Sequence, residues 1–140
     1  QSMNAKGYAI IPKILSVEQC KEIIKTYNIP NLYRKTVVME HYRFGLGEYK
    51  YYDYPLPKII QTVRETIYPK LSPIANLWMK VLNIDKVFPE KFEELQWLCH
   101  QNNQLKPTPL ILKYGKGGFN SLHQDIYMEV FISLCNVFFF

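Results

Sequence analysis

The residues best suited to chemistry are His123-Gln124-Asp125. On a strand, positions i and i+2 face the same way. An imidazole nitrogen of His123 and a carboxylate oxygen of Asp125 can then converge on one ion. That pair forms two corners of a facial triad for non-haem Fe(II). The triad leaves three positions open for exchangeable oxygen ligands, and its third protein ligand, usually a His, comes from elsewhere. A purely structural His–Asp hydrogen bond uses the same spacing, so the triplet alone does not decide. Nine residues upstream, Tyr114 opens the run Tyr-Gly-Lys-Gly-Gly-Phe-Asn-Ser-Leu-His-Gln-Asp. The two further histidines, His41 and His100, read as a surface histidine on a hairpin and one near a helix end.

The elements that must position this triplet are β-type. Leu110–Tyr114 reads as one strand, Gly115, Gly117 and Gly118 as a flexible turn, and Phe119–Asp125 as a second strand. A third strand is expected over Val130–Phe140. Upstream the chain is richer in helix. Gly7–Leu15 carries a short β-type run interrupted by Pro12, which suits an edge strand. Ser16 and Gln19 have capping-box spacing at the start of a helix, with Val17, Cys20, Ile24 and Tyr27 at helical spacing and Ile23 beside them. Residues 31–54 are basic and aromatic, with a strand at Thr36–Met39, a turn at Gly45 and Gly47, and a second strand at Tyr49–Tyr52. Pro55 and Pro57 introduce a helix bearing Ile59, Ile60, Val63 and Ile67, which Pro69 and Pro73 are expected to break. A second helix follows through Ile74 and Leu82. A third starts at Pro89 with Phe92, Leu95 and Cys99 buried, and stops at Asn102-Asn103. The order implies one α+β domain over 1–140. An α-rich part spans 4–107 and includes a β-hairpin, and the first strands of a sheet core span 108–140.

With Tyr114, Gly117, Leu122, His123, Gln124 and Asp125 in step, the chain resembles the AlkB-type branch of the 2-oxoglutarate/Fe(II) dioxygenases. It is closer still to bacterial nucleic-acid-type 2-oxoglutarate/Fe(II) oxygenases, over nearly all of Gly7 to Glu129. The resemblance implies helices packed on a double-stranded β-helix, or jelly-roll, core. It makes His123 and Asp125 iron ligands and Tyr114 a hydrogen-bond donor to 2-oxoglutarate, with Fe(II) and 2-oxoglutarate as cofactors. The implied reaction is hydroxylation or oxidative demethylation. Three departures stand out. Leu112 replaces an Asn that helps hold the keto acid, Met128 replaces a Gly, and Phe131–Asn136 does not follow the family's Phe-Pro-x-Gln-like strand. The distal His and the Arg for the far carboxylate have no counterpart, so an incomplete core and impaired turnover are expected.

Composition bounds the other readings. With 48% hydrophobic and 15% aromatic residues, the chain is not intrinsically disordered. Its net charge of +5 suits phosphates, and rings with Arg and Lys in 33–54 suit stacking on bases, although the same residues can simply pack a hairpin. A nucleic-acid or protein substrate therefore stays open. Cys20, Cys99 and Cys135 lack CxxC spacing and read as free thiols, Cys20 and Cys99 as small buried hydrophobes. With neither a signal peptide nor a run long enough to span a bilayer, a cytoplasmic protein without membrane association is expected. Gln1-Ser2-Met3 reads as a protease-cleavage scar. The Val-Phe-Phe-Phe end suggests homo-oligomerisation through an exposed strand. Two non-catalytic alternatives remain: an inactive remnant serving as an interaction module, and a small basic nucleic-acid-binding domain.

Overall fold

The computed structural model describes residue 10 and residues 12–122. His123, Asp125, Cys135 and the strand expected at Val130–Phe140 lie outside the described residues. Helix α1 covers Val17–Thr26 and starts with the capping box expected of Ser16. Ser16 N–H donates to Gln19 Oε1 at 2.8 Å, and Gln19 N–H donates back to Ser16 Oγ at 3.2 Å. These bonds satisfy backbone donors that a helix start leaves orphaned. Before it, residues 12–15 turn instead of extending, with Lys13 at φ 58°. The expected edge strand is therefore absent from the described part of Gly7–Leu15.

Strand β1 (Tyr33–Val38) follows a 3₁₀ turn at Pro30–Leu32, which Pro30 opens with its fixed φ. A second 3₁₀ turn at Met39–Tyr42 leads through β2 (Gly45–Leu46) to β3 (Glu48–Tyr52). Strands β1 and β3 form the antiparallel hairpin expected from the sequence, in register Thr36↔Lys50 and Val37↔Tyr49. Strand β4 (Leu110–Lys113) then adds to the other side of β3, pairing Tyr49↔Leu112 and Tyr51↔Leu110. The order is β1-β3-β4, so the hairpin and the later strand make one antiparallel sheet. A second, two-stranded sheet joins β2 to β5 (Phe119–Asn120).

Between β3 and β4 the chain makes helices α2 (Lys58–Val81) and α3 (Phe92–Gln101). Helix α2 corrects the expectation of a break. Pro69 and Pro73 both lie inside one continuous 24-residue helix. Each proline removes one backbone donor and crowds the preceding turn. Both are exposed, however, while Ile67, Tyr68, Ser72 and Ala75 keep the buried stripe continuous around them. Burial of that stripe outweighs the local cost.

Two apolar clusters hold these layers together. Ile23 of α1, Tyr52 of β3 and Ile60 of α2 form the first, flanked by Tyr33, Leu56 and Ile111. The second joins Tyr68 and Ala75 of α2 to Phe88, Phe92, Leu95 and Cys99. Asn76 ties the α2–α3 connection down: its Nδ2 donates to Phe88 O at 2.9 Å, and Phe88 N–H donates to its Oδ1 at 2.7 Å. Cys99 is buried as expected, but Cys20 is exposed. Ile23 and the C-cap Tyr27 are buried as expected, whereas Val17, Cys20 and Ile24 are exposed, so the covered edge of α1 runs through Ile23.

Candidate functional site

Tyr114 directly follows β4, where the antiparallel sheet ends and the chain turns toward β5. Two glycines fix its ring. A β-carbon on Gly47 would lie 2.8 Å from Tyr114 Cδ1, and one on Gly118 would lie 3.0 Å from Tyr114 Cβ. The first approach is closer than real side chains allow, and the second is tight enough that Tyr114 would have to shift by a few tenths of an ångström, so glycine at both positions lets the tyrosine pack closely. The residue is 39% exposed. Partial burial pushes its phenol pKa up, which keeps the hydroxyl protonated at neutral pH and available as a donor.

The path from Tyr114 toward His123 is held by the 39–47 turn. Gly45 pairs with Asn120 and Leu46 with Phe119. Ser121 N–H donates to Phe44 O at 2.7 Å, and Ser121 Oγ to Arg43 O at 3.4 Å. The turn is closed on itself: Phe44 N–H reaches Met39 O at 3.0 Å, Met39 N–H reaches Gly47 O at 2.9 Å, and Gly47 N–H reaches Glu40 Oε2 at 3.2 Å. Gly45 has φ 136°, which favours glycine, and an added β-carbon would collide with Phe119 O. The chain therefore arrives at Leu122 from a defined strand pair, and His123 is the next residue in sequence.

Beside that strand pair stand two stacked rings. Tyr42 and Phe44 have centroids 5.4 Å apart at 19° and are 55% and 46% exposed. Arg43 between them is exposed, with φ 58°. Several other rings and cations of the basic aromatic segment serve packing. Tyr52 is 1% exposed, and burial pushes its pKa up. Lys50 donates to Tyr27 O at 3.0 Å and lies 4.2 Å from the Tyr27 ring centroid. Tyr27 OH donates to Glu48 Oε1 at 2.6 Å; burial first, and this bond second, push its pKa up. Arg34 donates to Pro107 O at 3.2 Å and covers the Tyr51 ring at 4.4 Å.

Among the described residues, no group of three or more metal-ligating side chains comes together. His41 is exposed within the 39–42 turn, and His100 is exposed in the last turn of α3. These are the surface and helix-end positions expected of them. The sequence reading missed Gly47 and Gly118 as the walls of Tyr114, and Phe44 as the partner of Tyr42. The Gly47–Tyr114 contact joins residues far apart in sequence and leaves no local pattern. Among the described residues, no helix is long and apolar enough to cross a membrane.

An uncharacterized protein of Mycobacterium tuberculosis, found in two strains, is 38% identical to this chain over 80 residues. The match covers 57% of this chain and 34% of the relative, so the chain spans about a third of that protein's length. No solved structure matches. A family model described as an oxygenase catalysing oxidative methylation of damaged DNA matches residues 47–140, from the glycine under Tyr114 through the His-Gln-Asp triplet. That match takes in about two-thirds of the sequence, and the chain belongs to this oxygenase family.

Proposed function

We propose that this chain forms part of a 2-oxoglutarate- and Fe(II)-dependent oxygenase that acts on damaged DNA. The observation that carries this reading is Tyr114, whose ring packs against Gly47 and whose β-carbon packs against Gly118, beside the strand pair that leads to His123. His123 and Asp125 would hold the metal. Their imidazole and carboxylate donors suit Fe(II), and the glycine-walled Tyr114 suits a donor to a keto-acid carboxylate. Bound there, Fe(II) with 2-oxoglutarate and O₂ would supply oxidation of a substrate C–H to C–OH, with succinate and CO₂ as co-products. The protonated Tyr114 hydroxyl donates to a carboxylate oxygen, a charge-assisted bond that orients the keto acid. The rings of Tyr42 and Phe44 offer a face on which an unstacked base rests, and Arg43 lies between them for a phosphate. The strands of a jelly-roll core belong to this proposal.

The stacked pair also favours a second reading, a nucleic-acid-binding chain without turnover. Calorimetric titration with Mn(II), as a stand-in for Fe(II), separates the two. The oxygenase reading expects binding that tightens with 2-oxoglutarate and is lost in His123→Ala and Asp125→Ala. It also expects Tyr114→Phe to weaken the 2-oxoglutarate effect by about tenfold, the worth of one charge-assisted hydrogen bond. Metal-independent binding of single-stranded DNA, with no Mn(II) site, would leave the second reading.

A further inference from the structure

Arg64 sits on the buried stripe of α2 between Val63 and Ile67 and is 8% exposed. Its guanidinium lies over the Phe92 ring, 4.7 Å from the centroid. Its Nε and Nη1 are buried and have no hydrogen-bond partner among the described residues. Burying these two donors of a cation without partners is unfavourable, and an aromatic face offsets part of the charge but satisfies no N–H. Two more buried polar atoms are orphaned nearby, Gln104 Oε1 and Thr108 Oγ1. All three side chains line one small cleft between α2, α3 and the 104–108 loop, and the cleft opens to solvent. Lys106 and His100 also line it, and among the described residues no carboxylate does.

We propose that this cleft is a binding site for a single phosphate group. The guanidinium of Arg64 and the hydroxyl of Thr108 donate to its oxygens. Gln104 Oε1 accepts from a P–O–H. The exposed Lys106 ammonium adds charge at the rim. The cleft does not use Tyr114 or the His-Gln-Asp triplet: Thr108 precedes β4, whereas Tyr114 follows its other end. It therefore stands whether or not the chain binds iron. The phosphate has two sources to distinguish, a free ion and the terminal phosphate of a nucleic-acid strand.

The test titrates inorganic phosphate into the full chain at constant ionic strength, by calorimetry and by amide shifts of Phe92, Gln104 and Thr108. One site is expected, weakened about tenfold by Arg64→Met, which keeps the chain length over Phe92, and about threefold by Lys106→Ala. Should Arg64→Met fail to fold, Lys106→Ala and the isosteric Thr108→Val decide. No binding to the unaltered chain, or binding that none of the variants that fold weakens (an adventitious ion only), overturns the proposal. A short oligothymidine with and without a 5′-phosphate separates the sources. Preference for the phosphorylated strand, competed by free phosphate, assigns the strand end. Equal affinity for the two strands, with phosphate binding as expected, assigns the free ion.

Discussion

Single residues set the geometry near the proposed centre, and glycine matters most among them. Gly45→Ala combines a disfavoured φ of 136° with a collision against Phe119 O. It is expected to cost about 1–3 kcal/mol in urea unfolding, the range for a strained backbone position. Tyr27 makes a second prediction. Its folded pKa is raised above the unfolded value, chiefly by burial. Below the unfolded value, about 10, both states hold the proton and the full stability is present. Above it the unfolded chain loses the proton while the fold retains it, so stability falls as pH rises past about 10. Denaturant midpoints measured across that range should show the decline, and Tyr27→Phe should lessen it, leaving the share that buried Tyr52 contributes. The sequence disclosed the triplet and Tyr114 as candidates because those side chains carry chemistry wherever they stand. It was silent on Arg64, whose position between Val63 and Ile67 on an apolar stripe was the available signal. It was equally silent on the glycine walls of Tyr114, which exist only after distant segments meet.

At the scale of elements, what was legible was local. The Ser16–Gln19 box, the β1–β3 hairpin and the Phe92–Leu95–Cys99 stripe follow from neighbouring residues, and each formed, although β1 begins at Tyr33 instead of Thr36 and α3 at Phe92 instead of Pro89. Helix α2 did not follow, because proline preference is a local cost and the buried stripe around it is a tertiary gain. The placement of Cys20 failed for a related reason: periodicity defines an apolar stripe but not which of its edges meets the sheet. The exposed prolines of α2 allow a direct check. Pro69→Ala restores a backbone donor without removing buried contacts, so it should raise stability by about 1–3 kcal/mol. A higher urea midpoint with an unchanged slope is the expected result.

At the scale of the whole molecule, charge and exposed rings act together. With a net charge of +5, binding to single-stranded DNA should weaken steadily with salt, the signature of counterion release. The double variant Tyr42→Ala/Phe44→Ala should lose at least about tenfold in affinity while keeping that salt slope, because stacking energy is not ionic. Fluorescence anisotropy at several salt concentrations measures both. The sheet itself joins parts of the chain made at different times. Its third strand pairs Leu110 with Tyr51 across the helical excursion of residues 53–109. On a ribosome adding about 5–20 residues per second, the hairpin must wait several seconds for that strand. A two-stranded hairpin is marginal alone and offers an open edge. During that interval another nascent copy can take the place meant for β4, so the yield of folded protein should fall as synthesis becomes crowded.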